Sequence, residues 1–277
     1  MPLPTSPPIC AQTPLYNGLL LANAKSVEIV LVSPRNPLNI GAVARAMANF
    51  GFEHLTVVAP YEPHWQEARS AVGAESLLHN ARRTESLAEA VAGCTLVAGT
   101  GTLTYRKAEQ RVVSLPALVP ILQPELELGR VALVFGPEKH GLTREDLSWC
   151  HLLLEIPTDP RQPSMNLGQA VAVCLYELAS RSLPAQLDHP GEINLKGSNG
   201  ADQKGKRAPS ANLDLLACVI EETMSAAEYS PRAMQPANRH DLRLLLRRLA
   251  PSEHDTRRIL GLFRRILWRL QRSKQGE

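Results

Sequence analysis

From Val27 onward, short unbroken apolar runs alternate with segments of helical spacing. The runs "VEIVLV" (27–32), "HLTVVAP" (54–60), "CTLVAGT" (94–100), "RVALVFG" (130–136) and "HLLLEIP" (151–157) lack the polar alternation of a half-exposed strand. Strands covered on both faces read this way, as in a parallel sheet. Between them the spacing predicts helices over 39–50, 65–72, 84–92, 143–149 and 166–181. In the first of these, Ile40, Val43, Ala44, Met47 and Phe50 share one face and Gly51 suits the position after the last turn. Arg45 projects from roughly the opposite side, isolated among Gly41, Ala42, Ala46 and Ala48, which suggests a flat surface that something packs against. Regular strand–helix alternation implies an α/β domain.

After about Arg181 the texture changes to a polar stretch rich in Gly, Pro and Ser, and from Leu213 it becomes helical again, with breaks around 230–236 and near Pro251. The expected organisation is a leader over 1–25, an α/β domain over 26–182, a linker over 183–211 and a small all-α domain over 212–277. The last part is basic. It holds Arg239, Arg243, Arg247 and Arg248, then Arg257, Arg258, Arg264, Arg265, Arg269, Arg272 and Lys274. A solvated helix face and an RNA or partner surface account for it equally well. Arg outnumbers Lys and Phe263 and Trp268 are interleaved, which suits phosphate recognition.

Composition narrows the class without naming it. In 277 residues, 44% are hydrophobic, enough for a real core, and the net charge of +3 is too mild to argue for nucleic acid alone. The five cysteines are scattered and the histidines show no ligand spacing, so no disulfide framework and no metal are expected. The Pro-rich N-terminus does not read as a signal peptide, and no apolar run approaches membrane-spanning length. The expectation is a cytoplasmic protein.

Ligands on parallel sheets bind beyond the carboxyl ends of the strands, and three such ends carry unusual residues. "SPRNPLNIGAVARAMANFG" (33–51) holds Asn39 and Arg45. "VALVFGPEKHGLT" (131–143) has Gly136 and Gly141 for a close turn, with Thr143 as a helix cap. In "RQPSMNLGQAVAVCLYEL" (161–178), Asn166 with Gln169 resembles a capping box, and Ser164 precedes the cap. "AGTGTLT" (98–104) lacks the third glycine of a dinucleotide fingerprint, and no phosphate-binding loop of the nucleoside-triphosphatase kind is present.

Taken jointly, "NIGAVARAMANFG", "LVFGPEKHGL" and "IPTDPRQPSMNLGQAVAVCLYE" resemble, in order and spacing, the three motifs of the SPOUT-class RNA ribose 2′-O-methyltransferases, the TrmH family. The resemblance runs from about Val27 to Ala179, and the layout of SPOUT domain, linker and helical domain is most similar to its tRNA (cytidine/uridine-2′-O) branch. It implies a C-terminal trefoil knot built from loops matching 133–141 and 154–168, S-adenosylmethionine as cofactor, and a homodimer with a shared active site. It further implies modification of the cytidine or uridine at position 32 of the tRNA anticodon loop.

Carried over residue by residue, Thr100, Gly101 and Thr102 match the loop beside the methionine part of the cofactor. Gly136, Ile156, Ser164, Met165 and Asn166 match the adenosine pocket. Asn39, Arg45, Glu138, Ser164 and Asn166 match the catalytic set. Gly168 departs from the Ser or Ala of many relatives. The rival readings are a family member acting on another tRNA or rRNA nucleotide, and a non-catalytic RNA-binding SPOUT protein. A Rossmann dehydrogenase fails for want of its fingerprint.

Overall fold

A computed structural model describes residues 24–61, 63–101, 108–180, 206–229 and 234–275. The expected leader therefore lies outside the described residues up to position 23, as do Thr102 and most of the expected linker.

The apolar runs form a seven-stranded sheet in the order β3-β2-β1-β6-β4-β7-β5, and every pairing is parallel. The five strands read from sequence are β1 (Val27–Val32), β2 (His54–Val58), β4 (Leu96–Thr100), β6 (Val131–Phe135) and β7 (Leu152–Glu155). Their residues are almost all buried, as runs covered on both faces must be. Two strands escaped the sequence reading: β3 (Arg82–Thr84) and β5 (Arg111–Ser114). Both are edge strands whose side chains are mostly exposed and polar, so neither leaves an apolar signature.

Helices cover both faces. One face carries α1 (Pro37–Phe50), α2 (Glu75–His79), α4 (Val119–Leu128) and α6 (Leu167–Ser180), packed over Ile29, Leu31, Leu133 and Leu154. The other carries α3 (Leu87–Val91) and α5 (Arg144–Ser148), packed over Val30, Val97, Val134 and Leu153. α4 lies outside the helices expected from the spacing, and it holds two prolines, Pro120 and Pro124. Pro120 sits in the first turn, where no N–H is needed.

The helix expected over 65–72 is a correction. Only a 3₁₀ turn forms, at Trp65–Glu67. The following chain is pinned against α1 instead, where Ser70 Oγ donates to Leu38 O at 2.6 Å. Gly41 makes that approach possible, since a Cβ there would lie 2.1 Å from Ser70 Oγ and 2.9 Å from Ala71 N. Gly168 has a similar role in the seam between α1 and α6, where a Cβ would lie 2.8 Å from Ala42 Cβ. The flat small-residue surface of α1 is thus used within the chain.

Helices α7 (Ser210–Ala226), α8 (Gln235–Leu249) and α9 (Glu253–Gln275) form their own small cluster around Leu216, Ala217 and Leu246. They also dock on the sheet domain. Ser210 N–H donates to Cys94 O at 2.9 Å and Ala211 N–H to Ala92 O at 3.1 Å. No helix among the described residues is long and apolar enough to cross a membrane.

Candidate active site

Strands β1, β6, β4 and β7 are neighbours in the sheet, so the segments leaving their carboxyl ends converge. Ser33, with φ of 45°, turns the chain at the end of β1 and delivers residues 34–36 to the loop after β6. Asn36 then caps α1, accepting from Leu38 N–H at 2.9 Å, with Pro37 in the first turn and Gly51 closing the helix at φ 77°.

Glu138 is the meeting point. Its carboxylate accepts the N–H of Arg35 and of Asn36, each at 3.2 Å, and Asn39 Nδ2 at 2.8 Å. Asn39 Oδ1 accepts from Asn166 Nδ2 at 3.0 Å, and Asn166 Oδ1 accepts from Gly168 N–H at 2.9 Å. Glu138, Asn39 and Asn166 thereby link all three motifs from the loop after β6 to the first turn of α6. Burial works to raise the Glu138 pKa, but the hydrogen bonds from Asn39 and from the surrounding backbone N–H groups prevail and hold its carboxyl below the usual range. Asn166 caps α6 as expected, yet no bond from Gln169 completes a capping box. The reciprocal box is found at α5 instead, between Thr143 and Asp146.

Beside this network lies a pocket of about 210 Å³ lined by Thr100, Gly101, Gly136, Ile156, Ser164 and Met165, together with the rest of the 136–142 loop. These are the expected cofactor positions, apart from Asn166 at the rim of the network and Thr102, which lies outside the described residues. The loop folds back tightly. A Cβ on Gly136 would lie 2.2 Å from Leu142 N and 2.3 Å from Gly141 C, and Gly141 itself adopts φ of 63°. A Cβ on Gly101, which also lines the pocket, would meet nothing within 4 Å. Backbone edges, the apolar walls of Ile156, Met165 and Leu167, and the Ser164 hydroxyl suit a flat heteroaromatic ring on a polar tail. Adenosine with a methionine chain is such a group, and the residues present fit it. Ser164 is exposed in the wall and makes no hydrogen bond to another described residue.

Arg45 does not join this cluster. It is exposed on α1, and it is absent from the pocket lining of its own chain. Among the described residues no three His, Cys, Asp or Glu side chains gather as metal ligands. Burial pushes the thiols of Cys94, Cys150 and Cys174 up to about 12, which leaves them inert as nucleophiles.

Comparison with known proteins agrees with this geometry. Residues 26–176 match the profile of the SpoU rRNA Methylase family. The chain belongs to that family. It is 33% identical over 257 residues to the tRNA (cytidine/uridine/adenosine-2′-O-)-methyltransferase TrmJ of Pseudomonas aeruginosa (strain UCBPP-PA14), covering 90% of this chain and 95% of the relative. It is 32% identical over 260 residues to the tRNA (cytidine/uridine-2′-O-)-methyltransferase TrmJ of Escherichia coli (strain K12), covering 91% and 98%. Among solved structures, the crystal structure of TrmJ from Z. mobilis ZM4 superposes with a TM-score of 0.71 at 28% identity, over 86% of this chain and 98% of that one. The likeness therefore extends past the family domain into the C-terminal helices. Membership makes the protein a methyltransferase, and S-adenosylmethionine is the family's methyl donor.

The fate of the basic C-terminal residues is a correction. Arg243 lies over the Trp149 ring at 4.0 Å, donates to Ser148 Oγ at 2.8 Å and pairs with Glu145. Arg247 is only 2% exposed. It lies 5.0 Å from the centroid of the same Trp149 ring and donates to Trp149 O and Asp214, each at 2.9 Å. Arg239 is held by Glu221 and Arg257 by Glu253. These residues fasten the protein to itself. On α9, Arg265 and Arg272 flank the half-exposed Trp268 at 4.6 and 5.4 Å, leaving that helix as the basic aromatic surface.

Proposed function

We propose that the protein is a tRNA ribose 2′-O-methyltransferase acting as a homodimer on cytidine or uridine at position 32 of the anticodon loop. The observation that carries this reading is the Glu138–Asn39–Asn166 network, which ties the three motifs together beside a pocket fit for adenosine. Relatives that span nearly the whole chain carry the names of tRNA 2′-O-methyltransferases. The working compartment is the cytoplasm, where tRNA is found.

S-adenosylmethionine supplies a methyl group already activated on a sulfonium. The chain's own tasks are to align a ribose hydroxyl, exclude water and ease removal of the hydroxyl proton. Gly136, Gly141 and Met165 shape the cofactor wall, with Thr100, Gly101 and Thr102 beside the methionine part. The loops over 133–141 and 154–168 form the trefoil knot. Ser164 faces the pocket unencumbered and orients cofactor or ribose, while Asn166 and Asn39 hold the wall that presents it.

Arg45 acts across the dimer. It is exposed on α1, which packs against α6, and these two helices also expose Leu38, Val173 and Tyr176, which are 55%, 37% and 58% exposed. Large exposed apolar side chains on neighbouring helices suit a second copy of this chain. Seated there, a partner copy receives Arg45 near its own pocket. A guanidinium stays charged in proteins, so Arg45 clamps the phosphate next to the target and lowers the cost of deprotonating the hydroxyl electrostatically. The basic surface of α9 holds the tRNA body through its phosphates, with affinity that falls as salt rises.

The test is to map ribose methylation by mass spectrometry on tRNA and rRNA from a deletion strain. Loss at position 32 of tRNA, restored by the wild-type gene, is the expected result. Loss in rRNA, or in neither, overturns the assignment.

A further inference from the structure

The sheet has a second opening at the end opposite the active-site pocket. Where the first residues of β5 and β7 meet α8 and the segment leading into α7, the structure encloses a cavity of about 480 Å³. This is more than twice the 210 Å³ of the active-site pocket, and within the range of about 300–1,000 Å³ that small-ligand sites occupy. None of its residues belongs to the active site. Both parts of the chain contribute, with Arg111 and His151 on the sheet side and Arg207, Arg247 and Arg248 on the helical side.

Some of these charges are committed and others are not. Arg247 uses Nε, Nη1 and Nη2 on Trp149 O, Arg243 O and Asp214. Arg207 pairs through Nε with Glu125, at 2.7 Å. Glu109 is taken by Arg144 at 3.0 Å. Arg111 and Arg248 line the cavity, are exposed, and form no ion pair with a described residue. Two uncommitted guanidinium groups, with Arg207 beside them, thus face two carboxylates, Asp241 and Glu109, of which Glu109 is already paired with Arg144. The balance stays positive even against the C-terminal end of α8, whose dipole is worth about half a unit charge.

The remaining wall is suited to something flat and apolar. Leu96, Ile121, Leu152, Leu244 and Leu245 supply it, and Leu245 is 39% exposed. His151 adds a neutral donor. Its Nδ1 accepts from Val97 N–H at 3.1 Å, which places the ring proton on Nε2. Burial and the nearby Arg247 and Arg207 charges hold its pKa well below 6.5.

Apolar walls under planar guanidinium forks match a base joined to a phosphate. We propose that this inter-domain cavity binds one ribonucleotide unit, its base against the leucine and isoleucine side chains and its phosphate on Arg111, Arg207 and Arg248. A free mononucleotide and an unstacked nucleotide of bound tRNA present the same chemistry. The second source rests on the tRNA reading above; the first is independent of it.

The experiment titrates the four nucleoside 5′-monophosphates, and separately tRNA, into the full-length protein by calorimetry, with S-adenosylmethionine as the control for folding. The variants are Arg111→Ala with Arg248→Ala, Leu245→Trp, which narrows the cavity without altering charge, and Arg264→Ala with Arg265→Ala on α9. For a free nucleotide, a monophosphate binds the wild type and is weakened at least tenfold by the first two variants but not by the third. For a tRNA nucleotide, monophosphates fail to bind while tRNA affinity falls about tenfold in Leu245→Trp as well as in the double variant. Loss of tRNA affinity in the double variant alone is a general charge effect and overturns the proposal. So does binding that neither cavity variant changes. Cofactor affinity stays at the wild-type level throughout. A wild type that binds monophosphate yet methylates no tRNA keeps this site and loses the earlier reading.

Discussion

The two ends of the sheet are built on opposite plans. At the carboxyl ends of β1, β6, β4 and β7 the chain works with backbone and amide groups, and the one acid lining the pocket, Glu138, is satisfied by N–H donors. Toward the helical cluster it works with arginine, and the most buried of these, Arg247, is clasped between Trp149 and Asp214. The contrast teaches that charge density in a sequence says little about where a polyanion binds. The deepest positive charges fasten α8 to α5, while the catalytic end binds its three motifs together through Glu138, Asn39 and Asn166.

Removing Arg247 should separate the two ends most sharply. Arg247→Ala leaves Asp214 without its partner in a site where burial already raises the carboxyl pKa, and should cost about 3–5 kcal/mol. Urea unfolding of the full chain measures this. Replacing both partners by apolar residues of similar volume should recover most of the loss. A loss below about 1 kcal/mol for Arg247→Ala would mean the clasp is a surface pairing.

Arg45 gives the reverse result. Arg45→Ala should lower turnover by about 10²–10³-fold, the cost of one lost electrostatic contact in a transition state, and leave stability within about 0.5 kcal/mol because the residue is exposed. Arg45→Lys should stay close to the alanine variant. Recovery of most of the turnover by lysine would show that a point charge suffices and a two-pronged clamp does not operate.

Gly136→Ala tests whether the tight loop makes the pocket. With a Cβ 2.2 Å from Leu142 N, the loop must open, at a cost of about 1–3 kcal/mol. Calorimetry with S-adenosylmethionine should show a tenfold to hundredfold loss. Smaller again is the difference between the cap and its neighbour. Asn166→Ala should destabilise the protein by about 1 kcal/mol, whereas Ser164→Ala should lower activity with an unchanged melting temperature.

The smallest effect concerns pH. The folded-state pKa of Glu138 lies below its ordinary 4.5, so its contribution to stability is complete above that value and fades as pH falls through the depressed one. Thermal melting followed downward from about pH 6 should show a shallower acid decline in Glu138→Gln than in the wild type.

Much of this could be read from the residues. The buried runs marked the central strands because burial on both faces forces near-continuous apolar sequence, and Gly51 and Thr143 marked helix ends because only certain residues satisfy those positions. Edge strands β3 and β5 were invisible for the converse reason. The segment after Trp65 failed as a helix because its fate depends on Gly41, which is remote from it along the chain. The arginines of α8 were misjudged for the same kind of reason: nothing in their own helix announces Trp149.

By itself the sequence determined the parallel sheet and the three loops beyond its strands, because these follow from local periodicity and short-range stereochemistry, while the cofactor followed from the resemblance of three motifs to a known family. Only the tertiary structure decided that Glu138, Asn39 and Asn166 form one network, that Arg45 stands apart from its own chain's pocket, and that Arg243 and Arg247 are buried. Hydrogen bonds and desolvation depend on what the fold brings within about 3 Å, and residues a hundred positions apart carry no local mark of that meeting.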